Sequence, residues 1–293
     1  NEDCWLQNLV DVDGTDGYQD HTCQAWTYDG HKGTDIRIAN RAEMEAGVAV
    51  VAPAQGVVLR VRDGEPDRVF GELPPDFEDR DCGNGIVIDH GNGWTSQLCH
   101  LKEGSVTAQP GDRLRAGEPV GLVGASGNTE FVHVHMSVLQ RDAVIDPFTG
   151  FTMGDVACGT EGTSLWAPGL FANGPQDAKA INAGFATGGI AMADIENGTV
   201  PVPSITRSAP AIVFFGRASH VSAGDVERIT LTGPDVDIDS TSEPVDRPKA
   251  QIMRFAGRRA PPEGLPPGTY SGTYEIVRDG TVVTRIEDTI TID

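Results

Sequence analysis

Basic residues are scarce in this chain, 22 against 43 acidic ones, which leaves a formal charge of −21. Phosphate recognition depends on Lys and Arg contacts, so we expect neither a nucleic-acid partner nor binding to an anionic membrane. Such acidity also keeps an exported protein dispersed without requiring any specific partner. Long apolar runs are missing too. The longest, residues 48–54, is strand-sized and far short of the roughly 18 to 20 residues that cross a bilayer. Extended helical periodicity is rare, which argues against a helical bundle. None of the five cysteines forms a Cys-x-x-Cys pair, so a thiolate zinc cage or dithiol redox motif is not expected. No Gly-x-Ser-x-Gly elbow occurs, and neither Ser126 nor Ser137 has a triad context.

What remains is rich in turns and short β-branched runs. With 36 Gly, 19 Pro, 39% hydrophobic and 22% charged residues, the composition suits an all-β protein with a sizeable core. A length of 293 residues suggests two domains. Residues 1–30 read as a polar N-terminal arm, with tight turns at Asp11-Val-Asp-Gly14 and Asp16-Gly17. Strands are expected at 34–39, 48–53, 56–62, 85–90, 94–101, 119–123 and 132–138. The Asn92-Gly93 pair suits a hairpin turn. Residues 63–82 interrupt this rhythm with an acidic, proline-containing insertion. It reads as a solvated loop or as a groove wall favouring cationic peptides, with Asp76, Glu78 and Asp79 as the residues to test.

The domain expected at 31–150 gives way to a linker at 151–175. A weak helix is expected from Gln176 through Ala186. Runs at 211–216, 226–232, 250–257, 269–278 and 281–291 then read as a small antiparallel β-sandwich, Ig-like in size, over 176–293. Its final hairpin turn is expected at Asp279-Gly280. No internal repeat links the halves. The cysteines suit disulfides in an exported protein, and we pair Cys4 with Cys23 and Cys82 with Cys99, leaving Cys158 free. A start at Asn1 without Met is what a processed export product has, so a periplasmic or extracellular location is expected.

Chemistry concentrates in two segments. In an extended chain, side chains at i, i+2 and i+4 share a face. His31 and Asp35 therefore point the same way, with Gly33 leaving space between them. In His133-Val-His135-Met-Ser137-Val138 both histidines face one side, while Val134, Met136 and Val138 face the other. Two imidazoles, a carboxylate and an open position describe a catalytic zinc site rather than a closed structural one. Strand geometry leaves open whether His133 or His135 is the third ligand. The histidine left over, together with His100, can act as a general base or hold an oxyanion. Cys99, just before His100 in a strand, is expected to face away from the metal. His21, His90 and His220 read as surface or satisfied core residues.

Residues 31–147 resemble the lysostaphin/LytM-type zinc endopeptidases. The stations are His31-Lys-Gly-Thr-Asp35, Ala52-Pro-Ala-Gln-Gly56, Gly83-Asn-Gly-Ile-Val87-Ile-Asp-His90-Gly91, Cys99-His100-Leu101, Gly121-Leu-Val-Gly124-Ala-Ser-Gly127 and His133-Val-His135-Met-Ser137. The resemblance implies a two-layer antiparallel β-sheet catalytic domain with its groove above one face. It implies His31, Asp35 and His135 as Zn2+ ligands, with His100 and His133 as catalytic histidines. It also implies hydrolysis of peptide bonds in peptidoglycan stem peptides or cross-bridges, or in glycine-rich proteins. Family members that serve as non-catalytic wall-binding or activator modules typically lack ligands that are present here. Three departures stand out: Cys99 in place of Ala or Gly, Met136-Ser137 in place of Phe-Glu, and the acidic insertion.

Overall fold

The computed structural model describes residues 4–72, 77–171 and 177–293. The chain separates into two compact units, Asn1–Gly174 and Pro175–Asp293.

The first unit opens with β1 (Trp5–Leu6), followed after a turn-rich excursion by β2 (Thr34–Arg37), α1 (Arg41–Ala46), β3 (Ala49–Val51) and β4 (Gly56–Arg62). After the insertion come β5 (Asn84–Gly91), β6 (Trp94–Leu101), β7 (Arg113–Leu114), β8 (Pro119–Leu122), β9 (His133–Gln140) and β10 (Ala143–Ile145). One antiparallel sheet runs β1-β2-β9-β6-β5-β4-β7, with β10 added to β9, and β3 pairs with β8 separately. Alternation explains its two faces. Ile86, Ile88, Leu98, Val134 and Met136 are buried on one side, and the residues between them face the other. The β5–β6 hairpin turns on Asn92 and Gly93, both at positive φ (54° and 82°), as a two-residue hairpin loop requires. The helix α1 was not expected, because six residues carry too little periodicity to see. Asn40 caps it by accepting the Glu43 N–H at 3.2 Å, and Glu43 Oε2 reaches back to Ala39 N at 2.8 Å.

The cysteine pairing and the linker boundary of this unit differ from expectation. Cys23 is joined to Cys158, not to Cys4, while Cys82–Cys99 forms as expected. The main-chain bond from Gly159 N to His21 O (2.8 Å) brings the two segments side by side. Cys4 instead precedes edge strand β1, which pairs with β2. The span read as linker from 151 also packs into this unit. Trp166 lies 5.5 Å from Phe148 and 5.1 Å from Phe171 between ring centroids, in a cluster with Leu6 and Leu9. Residues 172–175 of that span lie outside the described residues.

The second unit comprises β11 (Lys179–Ala186), α2 (Met192–Glu196), β12 (Ala211–Val221), β13 (Val226–Gly233), β14 (Val236–Thr241), β15 (Lys249–Arg259), β16 (Gly268–Arg278) and β17 (Thr281–Ile292). Sheets β11-β12-β15 and β14-β13-β16-β17 share one core of Phe185, Phe214, Ile229, Leu231, Tyr270, Tyr274 and Ile276. Backbones and rings approach closely across it. A Cβ on Gly216 would meet Tyr274 at 2.0 Å, and one on Gly272 would meet Phe214 at 2.2 Å. The helix expected from Gln176 is strand β11 instead, Gln176 itself lying outside the described residues. Alanine-rich Lys179–Ala186 has helical propensity, but pairing with β12 and burial of Phe185 against Phe214 (5.2 Å between centroids) override it. Among the described residues no helix is long and apolar enough to cross a membrane.

Candidate metal centre

Strands β2 and β9 pair with Asp35 directly opposite His135, so carboxylate and imidazole emerge side by side on one face. His31 enters four residues earlier. Gly33 between them is required: a Cβ there would lie 2.5 Å from His135 Nε2. Donor atoms of His31, Asp35 and His135 all lie within 4.8 Å of one another. His31 Nε2 is 3.2 Å from Asp35 Oδ1 and 3.1 Å from His135 Nδ1, and His135 Nδ1 is 2.8 Å from Asp35 Oδ1.

The atoms facing outward from this cluster each have a partner. His31 Nδ1 donates to Leu9 O at 2.6 Å, Asn8 Nδ2 donates to Asp35 Oδ2 at 2.8 Å, and His135 Nε2 lies 3.0 Å from Ser137 Oγ. A carbonyl can only accept, so the His31 proton sits on Nδ1 and its Nε2 lone pair points inward. With the His135 proton directed to Ser137, two lone pairs and a carboxylate oxygen converge on one point. That arrangement fits a divalent cation, and zinc takes this donor set with a position to spare.

His100 and His133 flank the cluster. Their rings are 4.7 Å apart, and His100 lies 6.1 Å from the His135 ring. His100 Nδ1 donates to Ser126 O at 2.8 Å, and His133 Nδ1 donates to Phe131 O at 3.0 Å. The neutral His100 ring is thereby left with its Nε2 lone pair available. His133 Nε2 stands 3.3 Å from Asp35 Oδ1. Burial pushes His100 down to about 3, keeping it uncharged at neutral pH. Burial alone would raise the Asp35 carboxyl, but the positive charge that the His31 and His133 rings carry when protonated outweighs it and holds Asp35 well below the usual carboxylate range.

Cys99 does not face away as strand alternation suggests. It is the register partner of His135, because His100 adopts a left-handed φ of 61° and breaks the alternation. The other histidines lie elsewhere: His21 stacks on Phe148 at 4.8 Å, and His90 bonds Gln55 O and Ser96 Oγ, both at 2.8 Å. His220 is buried in β12 of the second unit.

The arm supplies what the sequence reading missed. Asn8 and Leu9 support two of the three clustered residues, and the Tyr28 ring stands 4.5 Å from that of His31. A backbone carbonyl has no residue signature, so only Ser137, two positions after His135, could have been suspected. The acidic insertion is largely tied to the body. Asp63 accepts the Gly104 and Val106 N–H groups (2.8 and 3.2 Å), and Asp67 those of Glu103 and Ala125 (3.1 and 2.7 Å). Glu65 pairs with Arg80 at 3.3 Å, while Asp76 lies outside the described residues.

Fold and donor set together define a class: an antiparallel-sheet protein carrying a His-Asp-His set, His31 and Asp35 buried and His135 half-buried, suited to one divalent cation. Residues 29–147 match the model of peptidase family M23, and this part of the chain is a domain of that family. Two curated relatives are the cell division protein DipM of Caulobacter vibrioides and the peptidoglycan DD-endopeptidase ShyA of Vibrio cholerae. DipM is 25% identical over 122 residues, covering 42% of this chain and 19% of the relative. ShyA is 26% identical over 111 residues, covering 38% and 20%. The chain thus spans about one fifth of the length of the curated relatives it matches. Among solved structures, a zinc-containing peptidase from Vibrio cholerae is 23% identical, covering 48% of this chain and 39% of that one, with a TM-score of 0.31.

Proposed function

We propose that this protein is an exported zinc endopeptidase that hydrolyses peptide bonds in peptidoglycan stem peptides or cross-bridges. The observation that carries this reading is the convergence of His31 Nε2, Asp35 Oδ1 and His135 Nδ1 within 4.8 Å. The M23 domain and the peptidoglycan endopeptidase named among the relatives support the reaction and the substrate class. Two disulfides support export, since such bonds persist in oxidising compartments.

His31, Asp35 and His135 would hold the ion, with Leu9 O, Asn8 and Ser137 orienting them. Zinc in this place supplies a Lewis acid for the scissile carbonyl and lowers the pKa of water to near 7. The protein's own part is proton handling. His100, neutral and with Nδ1 anchored on Ser126 O, presents Nε2 to accept the proton of the attacking water. His133 Nε2, beside Asp35, passes a proton to the departing amine or donates to the developing oxyanion. Neither role forms a covalent acyl-enzyme.

The test is digestion of purified peptidoglycan by the full chain, with and without a zinc chelator, followed by mass spectrometry of released peptides. Chelator-sensitive appearance of new amino termini is the expected result and names the bond. A zinc-loaded protein that leaves peptidoglycan intact would overturn the substrate class.

A further inference from the structure

The face of the sheet that carries His135 continues beyond the metal centre. Residues opposite one another in register share a face, and one row runs Ser137, Gln97, Val87, Arg60 across β9, β6, β5 and β4. The intervening Ile86, Ile88, Leu98 and Met136 are buried on the other face, so this row lies on the same side as His135. At its far end is a pocket of about 260 Å³, lined by Arg60, Arg62, Asp79, Cys82, Val87 and Gln97 among others. Its wall is fixed. Cys82 is disulfide-bonded to Cys99, the register partner of His135, and Gln97 Nε2 lies 3.3 Å from Cys82 Sγ. Gly85 clears the floor, since a Cβ there would lie 2.8 Å from Cys82 Sγ.

Two arginines in one pocket stand out in a chain with 22 basic and 43 acidic residues. Both are exposed, and Arg62 is steadied by donating to the Asp79 carbonyl oxygen at 3.3 Å. That bond uses a backbone oxygen, not the Asp79 carboxylate. Three strand-to-strand steps of roughly 4.8 Å place Arg60 about 14 Å from Ser137. A peptide extended across the strands rises about 3.3 Å per residue, so it spans this distance in about four residues, or three allowing for the reach of an arginine.

We propose that Arg60 and Arg62 form an anion subsite of the cleft, taking a free carboxylate of the peptide substrate three or four residues from the bond cleaved. The proposal rests on the peptidase reading of the same face. Guanidinium groups match a carboxylate through paired N–H donors. In a stem peptide the carboxylate is either terminal or borne on a side chain or branch.

The experiment uses cross-linked stem-peptide dimers in three forms: all carboxylates free, only the terminal ones amidated, and only the internal ones amidated. Binding to the metal-free full chain is measured by calorimetry, and kcat and KM are measured with the zinc-loaded protein. One amidated form should bind about tenfold or more weakly and show a matching rise in KM with kcat little changed. The form affected identifies which carboxylate is read. The double variant Arg60→Gln/Arg62→Gln should erase the difference, and Arg60→Lys/Arg62→Lys should keep part of it. Equal behaviour of all three forms in both assays overturns the proposal, as does a difference that survives the Gln variants. Cleavage without discrimination leaves the peptidase reading standing alone. Discrimination in binding without cleavage leaves the subsite standing and removes the peptidase reading.

Discussion

Ser137 shows how one side chain reaches the His31–Asp35–His135 cluster indirectly. It stands where the resemblance expects Glu, and its Oγ lies 3.0 Å from His135 Nε2. Removing that hydroxyl leaves His135 free to rotate or change tautomer. Ser137→Ala should weaken zinc binding about 10- to 100-fold, read by competition with a chromophoric chelator. Unchanged affinity would mean that strand pairing alone orients His135. A second residue-scale case lies in the second unit, where Tyr274 O–H donates to Glu227 Oε1 at 2.8 Å inside the core. Burial raises the Glu227 pKa above its ordinary 4.5. Below that ordinary value both states are protonated and the full contribution to stability is present. As pH rises through the folded value the contribution is lost, because the unfolded chain ionises first. Glu227→Gln, which retains an acceptor for Tyr274, should therefore flatten this decline above the ordinary glutamate range in denaturant titrations. An unaltered pH profile would show that Glu227 ionises freely. Residues of this kind are only half legible in a sequence. His31, Asp35, His133 and His135 could be read because alternation turns spacing into a shared face. Cys99 was misread because the left-handed backbone at His100 cancels that rule.

At the scale of elements, the arm is as much part of the centre as the strands. Leu9 O and Asn8 reach His31 and Asp35, and the arm is held by bonds from Leu9 N to Trp26 O and from Asp11 N to His31 O, both 2.9 Å. The Cys23–Cys158 disulfide closes a separation of 135 residues around it. Cys23→Ser/Cys158→Ser touches no residue of the centre, yet it should lower stability by a few kcal/mol and weaken zinc binding by loosening the arm. Chelator competition and a urea titration on the same variant check both halves. Full zinc affinity in a destabilised protein would separate the arm from the centre. The hairpins at Asn92-Gly93 and Asp279-Gly280 were legible because turn chemistry is local; Asp279 and Gly280 sit at φ 49° and 77°. Disulfide partners were not, because Cys4 and Cys158 compete for Cys23 through contacts distant in sequence. Strand β14 escaped notice because Asp237 and Asp239, on its outward positions, are poor strand formers that only pairing with β13 tolerates.

For the whole molecule, composition was enough to read an all-β chain, since 36 glycines and 19 prolines among short β-branched runs leave little room for long helices. Its net charge of −21 was a poorer guide to the cleft. Average charge does not say where two arginines lie, and the carboxylates of Asp63 and Asp67 are engaged by backbone donors. Each unit has its own apolar core: Leu6, Leu9 and Phe148 with the buried face of the sheet in one, and Phe185, Phe214, Tyr270 and Tyr274 in the other. Ligand binding stabilises only the structure it selects. All three clustered donors belong to the first unit, so zinc should raise the melting transition of that unit alone. At free zinc about 100-fold above Kd the gain is about 2.7 kcal/mol, roughly 5 to 10 °C for a unit of this size. The second unit supplies the internal control, because Glu227→Gln should move only the other transition. Scanning calorimetry of wild type and variant, with zinc and with chelator, reads both shifts in one set of traces. Two transitions moved separately are the expected pattern. A single transition moved by both changes would show that the two cores unfold together, and a zinc shift in the Glu227 transition alone would place the metal outside the His31–Asp35–His135 cluster.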